Sequence, residues 1–147
     1  MKDYLEIKEV KEMFRCIARQ MISSEQLLTE IDNIIGDGDH GIGMAIGFRA
    51  VNESLDEINA DTVNELFKEI GMTLLDAMGG ASGVIFGTMF ISGYGAAPQT
   101  NKLDLDTLSR MMKKSLDNIK LRGKAKVGDK TMIDSYEPAV LALEECS

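Results

Sequence analysis

The chain contains 147 residues, of which 44% are hydrophobic and 27% are charged. This length and balance favour one compact domain and exclude a disordered or low-complexity protein. Sixteen Lys and Arg residues against 24 Asp and Glu residues leave a net charge of −8, so the composition offers no electrostatic footprint for nucleic acid or for an anionic membrane.

Cysteine usage and hydropathy favour a cytoplasmic protein. Cys16 and Cys146 are far apart and lack the Cys-x-x-Cys spacing, so two reduced thiols are expected. Residues 1–3 lead directly into a charged amphipathic segment, without the apolar stretch of a signal peptide. The most apolar window, residues 84–97, is too short and too rich in glycine and serine to cross a bilayer. We therefore expect one soluble cytoplasmic domain spanning residues 1–147.

Hydrophobic periodicity predicts helices along nearly the whole chain. The i, i+3, i+4, i+7 spacing of an amphipathic helix recurs near the start and over residues 62–78 and 104–121. Near the start, it is formed by Val10, Met13, Phe14, Ile17 and Met21. Asp61 or Thr62 would cap the second of these helices, and Asp104 or Asp106 the third.

Four further segments have helical character, namely residues 24–33, 40–58, 82–94 and 130–145. The segment from Ser82 to Tyr94 is apolar almost all round, which is typical of a central helix. Pro138 predicts a kink or an early break in the last segment. Short connections favour antiparallel neighbours. We therefore expect an all-α antiparallel bundle of six or seven helices.

Glycine interrupts this helical pattern at three places, each at the start of a predicted helix. The three segments are residues 35–43, 78–83 and 122–131. In the first, a tight turn would bring the carboxylates of Asp32, Asp37 and Asp39 towards one point, where their mutual repulsion requires a cation. Hard oxygen ligands suit Mg²⁺ or Ca²⁺. The sequence therefore predicts a site for a divalent cation.

Three simpler explanations of this first segment are less satisfactory. An EF-hand loop counted from Asp37 would put Ile42 where glycine is required. A Rossmann fingerprint fails because the glycine spacing is wrong and no strand precedes it. Capping of the next helix by Asp37 or Asp39 accounts for one aspartate but not for three within eight residues.

A bound Mg²⁺ would let this acidic protein bind a phosphate, since Mg²⁺ is commonly completed by substrate phosphates. The helix that begins near His40 presents free N–H groups, and Gly41 and Gly43 let a phosphate approach the backbone. For His40, the only histidine, a hydrogen bond to a phosphate and an ordinary capping or packing role both remain open.

The second and third glycine segments are weaker signals. In the second, Gly79 and Gly80 end one helix and Ser82 caps the next, or the same residues form a second ring of N–H donors around the anion with the Ser82 hydroxyl assisting. The third is not a P-loop, because Asp129 stands where the lysine is needed and no strand precedes it.

Together these segments resemble the nucleotide-binding L subunit of dihydroxyacetone kinase. The matching motifs are residues 32–41, residues 79–83 with Gly87-Thr88, and residues 128–134 followed by Glu137-Pro138-Ala139, in the same order and spacing along essentially the whole chain. The resemblance implies an antiparallel helical barrel that binds an adenine nucleotide, ADP or ATP, at one end through two Mg²⁺ ions.

The resemblance also implies site residues. Asp32, Asp37 and Asp39 correspond to the metal ligands. The positions that correspond to phosphate and nucleotide contacts are His40, Gly41, Ile42, Gly43, Ala81 and Ser82, and those that line the nucleoside pocket are Gly123 and Met132. No catalytic nucleophile is expected within this chain, because phosphoryl transfer needs chiefly positioning and neutralisation of charge.

In the family, a histidine of a separate K subunit holds dihydroxyacetone covalently, and the L subunit delivers the phosphoryl group. The resemblance therefore implies a kinase subunit with the K subunit as its partner, and either ATP or a phosphotransferase-system protein as the phosphoryl source. Two alternatives stay open: a non-catalytic nucleotide-binding or regulatory module of the same fold, and a helical fragment that binds Ca²⁺ or Mg²⁺ weakly.

The family's L subunit continues beyond Ser147 into a last helix and a segment that carries an arginine near the phosphates. We therefore expect an incomplete version of the family's eight-helix barrel. The apolar face left by the absent helix would favour self-association, for example as a homodimer.

Overall fold

Seven α-helices make up most of the residues, 2–147, that a computed structural model of the chain describes. They are α1 (Ile7–Ser23), α2 (Glu25–Asp32), α3 (His40–Ser54), α4 (Val63–Met78), α5 (Gly80–Ile91), α6 (Leu105–Gly123) and α7 (Ile133–Cys146). A short 3₁₀ helix, Ser92–Gly95, follows α5. The expected all-α class and the count of six or seven helices are confirmed for this part of the chain.

Two short strands form an antiparallel pair that the sequence does not predict. Strand β1 (Tyr4–Glu6) pairs with β2 (Lys102–Asp104), and Leu5 lies opposite Leu103. Three residues are too few to show the alternation of apolar and polar side chains by which a strand is recognised. The pair holds the start of α1 beside the start of α6.

The larger hydrophobic core lies between α1, α3 and α4. Phe14 of α1 lies edge-on to Phe67 of α4, with 5.1 Å between ring centroids, and to Phe90 of α5 at 5.5 Å, an arrangement that aromatic rings prefer. A smaller core joins α6 to α7 and contains Leu116, Ile119, Ile133 and Val140. Helix α5 lies between the two cores and contributes side chains to both.

Close packing brings the ends of three helices together. A Cβ atom on Gly47 of α3 would come within 2.2 Å of Met78 Cγ, near the end of α4. Gly71 of α4 lies against Ile91 at the end of α5, whereas Met78 lies against Gly83 near its start, so α4 and α5 are antiparallel. The last turn of α4 and the first turn of α5 therefore lie beside α3.

Two predicted helix caps are confirmed. The Thr62 hydroxyl accepts a hydrogen bond from Glu65 N at 3.1 Å at the start of α4. The Asp104 carboxylate accepts one from Thr107 N at 2.8 Å at the start of α6. Hydrogen bonds from Thr107 hold the pKa of Asp104 below its ordinary value, because they stabilise the ionised form.

The start of α5 differs from the sequence prediction. The helix begins at Gly80 with Gly79 as its N-cap, rather than with Ser82 in that position. Both glycines have positive φ angles, 65° and 58°, which only glycine adopts readily. These angles turn the chain into the helix two residues earlier and place Ser82 inside the first turn.

The last helix also differs from its prediction. Helix α7 begins at Ile133 rather than Lys130, because the Asp134 carboxylate accepts hydrogen bonds from the N–H groups of Gly128 and Thr131 and holds the preceding residues in a turn. The predicted early break at Pro138 is wrong, since the helix continues through it to Cys146.

Helix α5 is only partly central, although its apolar composition predicts a fully buried helix. Phe86 and Phe90 pack against the larger core, whereas the Val84 side chain on another face is 37% exposed. Within residues 2–147, no helix combines the length and the apolar character that crossing a lipid bilayer would require.

Candidate functional site

Three carboxylates meet between α2 and α3. Asp32 is the last residue of α2, and Asp37 and Asp39 lie in the loop that follows. One oxygen from each of the three lies within 4.8 Å of the others, with Asp32 partly buried and the other two exposed. The structure thus brings together the three aspartates that the sequence singles out.

The Asp32 carboxylate organises this loop by accepting hydrogen bonds from backbone N–H groups. Its Oδ2 atom accepts hydrogen bonds from Gly38 N at 2.9 Å and from His40 N at 3.3 Å. A Cβ atom on Gly36 would lie 2.2 Å from Asp32 Oδ1, so a side chain there would displace the carboxylate. Gly38 has a φ of 78°, a conformation suited to glycine. The loop is therefore shaped around the Asp32 carboxylate.

Repulsion within the cluster affects the ionisation of Asp39. The negative charge of Asp37 is the main cause that raises the pKa of Asp39, and Asp32 adds to it. A divalent cation among the three would reverse this effect by favouring the ionised carboxylates. The donor set consists of hard oxygen atoms, which fit Mg²⁺ or Ca²⁺.

A depression of about 360 Å³ adjoins the cluster. It is lined by Asp37, Asp39, His40, Gly43, Met78, Gly79, Gly80, Ala81 and Ser82. The first turns of α3 and α5 supply these walls from two sides, and Ser82 Oγ lies 3.4 Å from His40 Nδ1. First-turn N–H groups lack partners within their own helix, so two helix N termini beside one depression favour an anion there.

Two predicted contacts on α3 do not line the depression. Gly41 is buried, and a Cβ atom on it would lie 2.2 Å from the Glu25 carbonyl oxygen. This glycine lets α3 pack closely against α2. The Ile42 side chain is 48% exposed and lies outside the residues that form the walls.

The two residues expected at the nucleoside pocket also lie outside the depression. Gly123 ends α6, and a Cβ atom on it would lie 3.8 Å from Ile85 Cδ1. Because Ile85 follows Ser82 by about one helical turn, Gly123 is close to the beginning of α5. Met132 is partly buried and forms the N-cap of α7.

Sequence reasoning missed Met78 as a wall of the depression. Met78 continues the apolar stripe of α4 and looks like an ordinary core residue from its spacing. Gly79 and Gly80 line the same wall, although the sequence marks them only as a helix end or as part of a donor ring. The Gly-Gly pair directly after the stripe is the signal that could have found them.

Curated relatives show similar sequences over most of the chain. The chain is 42% identical to the ADP-binding subunit DhaL of the PEP-dependent dihydroxyacetone kinase of Escherichia coli. The similarity extends over 125 residues, which are 85% of this chain and 60% of that protein. It is 44% identical over 109 residues to the ADP-binding subunit DhaL of a PTS-dependent dihydroxyacetone kinase of Lactococcus lactis, covering 74% of this chain and 54% of that protein. The chain thus spans little more than half the length of these relatives.

Solved structures show the same fold. The dihydroxyacetone kinase of C. freundii in complex with AMP-PNP and Mg²⁺ superposes with a TM-score of 0.78 and 28% identity, over 93% of this chain and 25% of that one. The native form gives a TM-score of 0.81 and 27% identity, over 95% and 25%. The model of the DAK2 domain matches residues 34–147, which is most of the chain, and the chain therefore belongs to the DAK2 domain family.

Proposed function

We propose that this chain is the nucleotide-binding component of a dihydroxyacetone kinase and binds ADP or ATP with Mg²⁺ in the depression. The carboxylate cluster is the main support for the proposal. Its three convergent aspartates can bind a cation, and the two helix N termini beside them can bind a phosphate. The DhaL relatives are named ADP-binding subunits, and the similar C. freundii kinase forms a complex with AMP-PNP and Mg²⁺. The names of these relatives and the C. freundii complex both support an adenine nucleotide as the ligand of this chain, and the complex also supports Mg²⁺ as the metal.

In this proposal, Asp32, Asp37 and Asp39 hold two Mg²⁺ ions together with phosphate oxygens of the nucleotide. Asp32 is already oriented by the N–H groups of Gly38 and His40, so the cluster needs little rearrangement to accept a cation. Asp37 and Asp39 are exposed and free to approach the ions from the loop. Bound Mg²⁺ would neutralise the phosphate charge and orient the phosphoryl group for in-line transfer.

The phosphates in this proposal lie against the first turns of α3 and α5. Gly43 and Ala81 line the depression, and neither has a side chain large enough to keep a phosphate from the backbone. Ser82 Oγ lies 3.4 Å from His40 Nδ1. Both side chains can donate to an anionic oxygen. Gly41 and Ile42 contribute through the position of α3 and its first-turn N–H groups rather than through their side chains.

For the nucleoside, we assign Gly123 and Met132 to the edge of the pocket beyond the phosphates. Gly123 lies beside Ile85 on α5, and Met132 stands at the start of α7. A small residue and a flexible apolar side chain are suited to the flat faces of an adenine ring. This assignment extends the site from the carboxylate cluster along α5 towards α6 and α7.

The acceptor in this proposal is dihydroxyacetone bound to a separate K subunit. The single histidine, His40, lies beside the carboxylate cluster, so this chain offers no second histidine to hold the acceptor. Its residues bind and orient the nucleotide and supply no nucleophile. The phosphoryl source is either exchangeable ATP or a phosphotransferase-system protein that rephosphorylates bound ADP in place.

Calorimetric titration of the chain with ADP, with and without Mg²⁺, tests the binding step. We expect binding that depends on Mg²⁺, and heat changes that are the same in both buffers would contradict the metal assignment. Mixing the chain with a K subunit, dihydroxyacetone and either ATP or a phosphotransferase-system donor then tests transfer. Nucleotide binding without formation of dihydroxyacetone phosphate would instead identify a non-catalytic binding module.

A further inference from the structure

A groove of about 630 Å³ runs along the outer face of α5 between α4 and α6. Its apolar surface includes Val84 and Ile91 of α5 and Leu121 of α6, whose side chain is 77% exposed. Val84 and Ile91 lie on one face of the helix, about 10 Å apart. An apolar helix with one face open in this way is suited to cover by a second helix.

The groove is basic although the protein is acidic. Lys68, Lys114 and Arg122 stand along it, and none of the described residues that line it is acidic. This is unusual in a chain with a net charge of −8. The positive charge and the apolar surface of the groove together favour, as a binding partner, an acidic helix with an exposed apolar stripe.

Helix α2 of the same chain has these properties. None of its residues is fully buried, and although Leu28 packs against the larger core, Leu27 and Ile31, one turn apart, are 58% and 55% exposed. Its eight residues include Glu25, Glu30 and Asp32 and no lysine or arginine. Asp32 belongs to the carboxylate cluster, and the Glu25 carboxylate lies 4.0 Å from Arg49 of α3. Glu30 is therefore the carboxylate that flanks the apolar stripe.

We propose that α2 of one copy of this chain docks into the α5 groove of a second copy. Contacts between like surfaces are disfavoured, since two α2 helices would oppose carboxylates and two grooves would oppose cations. Only the unlike pairing joins an apolar stripe to an apolar groove and negative to positive charge. The inference does not depend on the nucleotide chemistry proposed above.

The proposed contact is heterologous, so each copy can engage one neighbour through α2 and another through its groove. Two turns of helix bury less area than the interface of a stable dimer. The association is therefore weak, and salt weakens it further because the flanking charges are exposed to solvent. The average mass of the protein in solution rises with concentration and falls with added salt.

Analytical ultracentrifugation of the full chain over a wide concentration range tests this proposal. The groove variant Lys114→Glu/Arg122→Glu and the stripe variant Leu27→Ser/Ile31→Ser are both expected to weaken association by about tenfold or more. The control Lys8→Glu/Arg19→Glu makes the same charge change on exposed positions of α1 and is expected to associate like the parent chain.

Mixing the two variants provides the decisive measurement. Each variant retains one intact surface, so an equimolar mixture should form a one-to-one complex although neither variant associates alone. A parent chain that stays monomeric at every concentration would overturn the proposal. So would a groove variant that associates normally, or a mixture that remains monomeric while both variants are folded by circular dichroism.

Discussion

Two glycine-rich loops of this molecule use aspartate in opposite ways. The loop between α2 and α3 gathers three carboxylates, and the neighbouring charge of Asp37 raises the pKa of Asp39. The loop between α6 and α7 is held by Asp134, and hydrogen bonds from the N–H groups of Gly128 and Thr131 lower the pKa of Asp134. Both loops precede a helix, yet backbone donors stabilise Asp134 of the second loop, whereas Asp37 and Asp39 of the first repel each other.

This difference separates a structural carboxylate from one held for a ligand. In the second loop, two backbone donors stabilise the ionised Asp134, so the loop is complete without any added group. In the first loop, Asp32 has two such donors but Asp37 and Asp39 face each other as like charges. The first loop therefore keeps an electrostatic strain that a cation would relieve, and substitutions in the two loops should have contrasting effects.

The largest expected effect is on nucleotide binding. Asp37→Asn removes one of the carboxylates around the proposed ions, so we expect Mg²⁺-dependent ADP binding to fall below detection in calorimetry. Asp129→Asn makes the same chemical change in the other loop, where Asp129 accepts a hydrogen bond from Lys126 N, and should leave ADP affinity unchanged. Equal ADP affinity in the parent chain and in Asp37→Asn would contradict the assignment of Asp37 as a metal ligand.

The next effect is a contrast in stability without metal. We expect Asp37→Asn to raise the melting temperature of the metal-free chain at neutral pH, because it relieves repulsion with Asp39. Asp134→Asn should lower it by a few degrees, since an amide has one acceptor oxygen where the carboxylate uses two. Thermal unfolding in the presence of a chelator measures both shifts in melting temperature. Shifts of the same sign would contradict the proposed difference between the two loops.

The pH dependence of stability should also separate the two loops. The folded chain holds a proton on Asp39 more tightly than the unfolded chain, so stability from this group is full below its ordinary pKa and is lost as the pH rises through the raised value. Asp134 and Asp104 have lowered pKa values, so their contribution is present above the ordinary pKa and is lost as the pH falls through the lowered values.

Urea unfolding over a pH series measures these slopes. Asp37→Asn should flatten the loss of stability that accompanies ionisation of Asp39, above the ordinary aspartate pKa. Asp134→Asn should flatten the loss on acidification, below that value. Variants that keep the parent slope in both regions would show that these carboxylates do not differ in the way proposed.

The sequence predicts the helices well because their signals are local. The apolar stripe of residues 62–78 and the caps at Thr62 and Asp104 depend on neighbours within a few positions, and the structure confirms them. The strand pair escapes prediction because Leu5 and Leu103 meet only through the tertiary fold. The early start of α5 depends on the positive φ angles of Gly79 and Gly80, which the composition permits but does not require.

The same distinction applies to the candidate site. Asp32, Asp37 and Asp39 are close in the sequence, so a tight turn is enough to predict their convergence. Ser82 reaches His40 from another helix, and the residues alone leave its role open until the family resemblance is considered. Met78 joins the wall because Gly47 lets α3 pack against α4, a contact between distant segments that no local pattern contains.

The smallest expected effect concerns Ser82. Its hydroxyl lies 3.4 Å from His40 Nδ1 at the edge of the depression, and in the proposed site it assists backbone donors that remain when it is removed. Ser82→Ala should therefore weaken ADP binding by only about tenfold, the lower end of the cost of losing one hydrogen bond to a charged group. Ser135→Ala, an exposed position near the start of α7, is the control. Because removal of the Ser82 hydroxyl leaves the carboxylate cluster in place, the Mg²⁺ dependence of binding should persist in Ser82→Ala, and its loss there would mean that Ser82 helps to organise the metal loop rather than the phosphate.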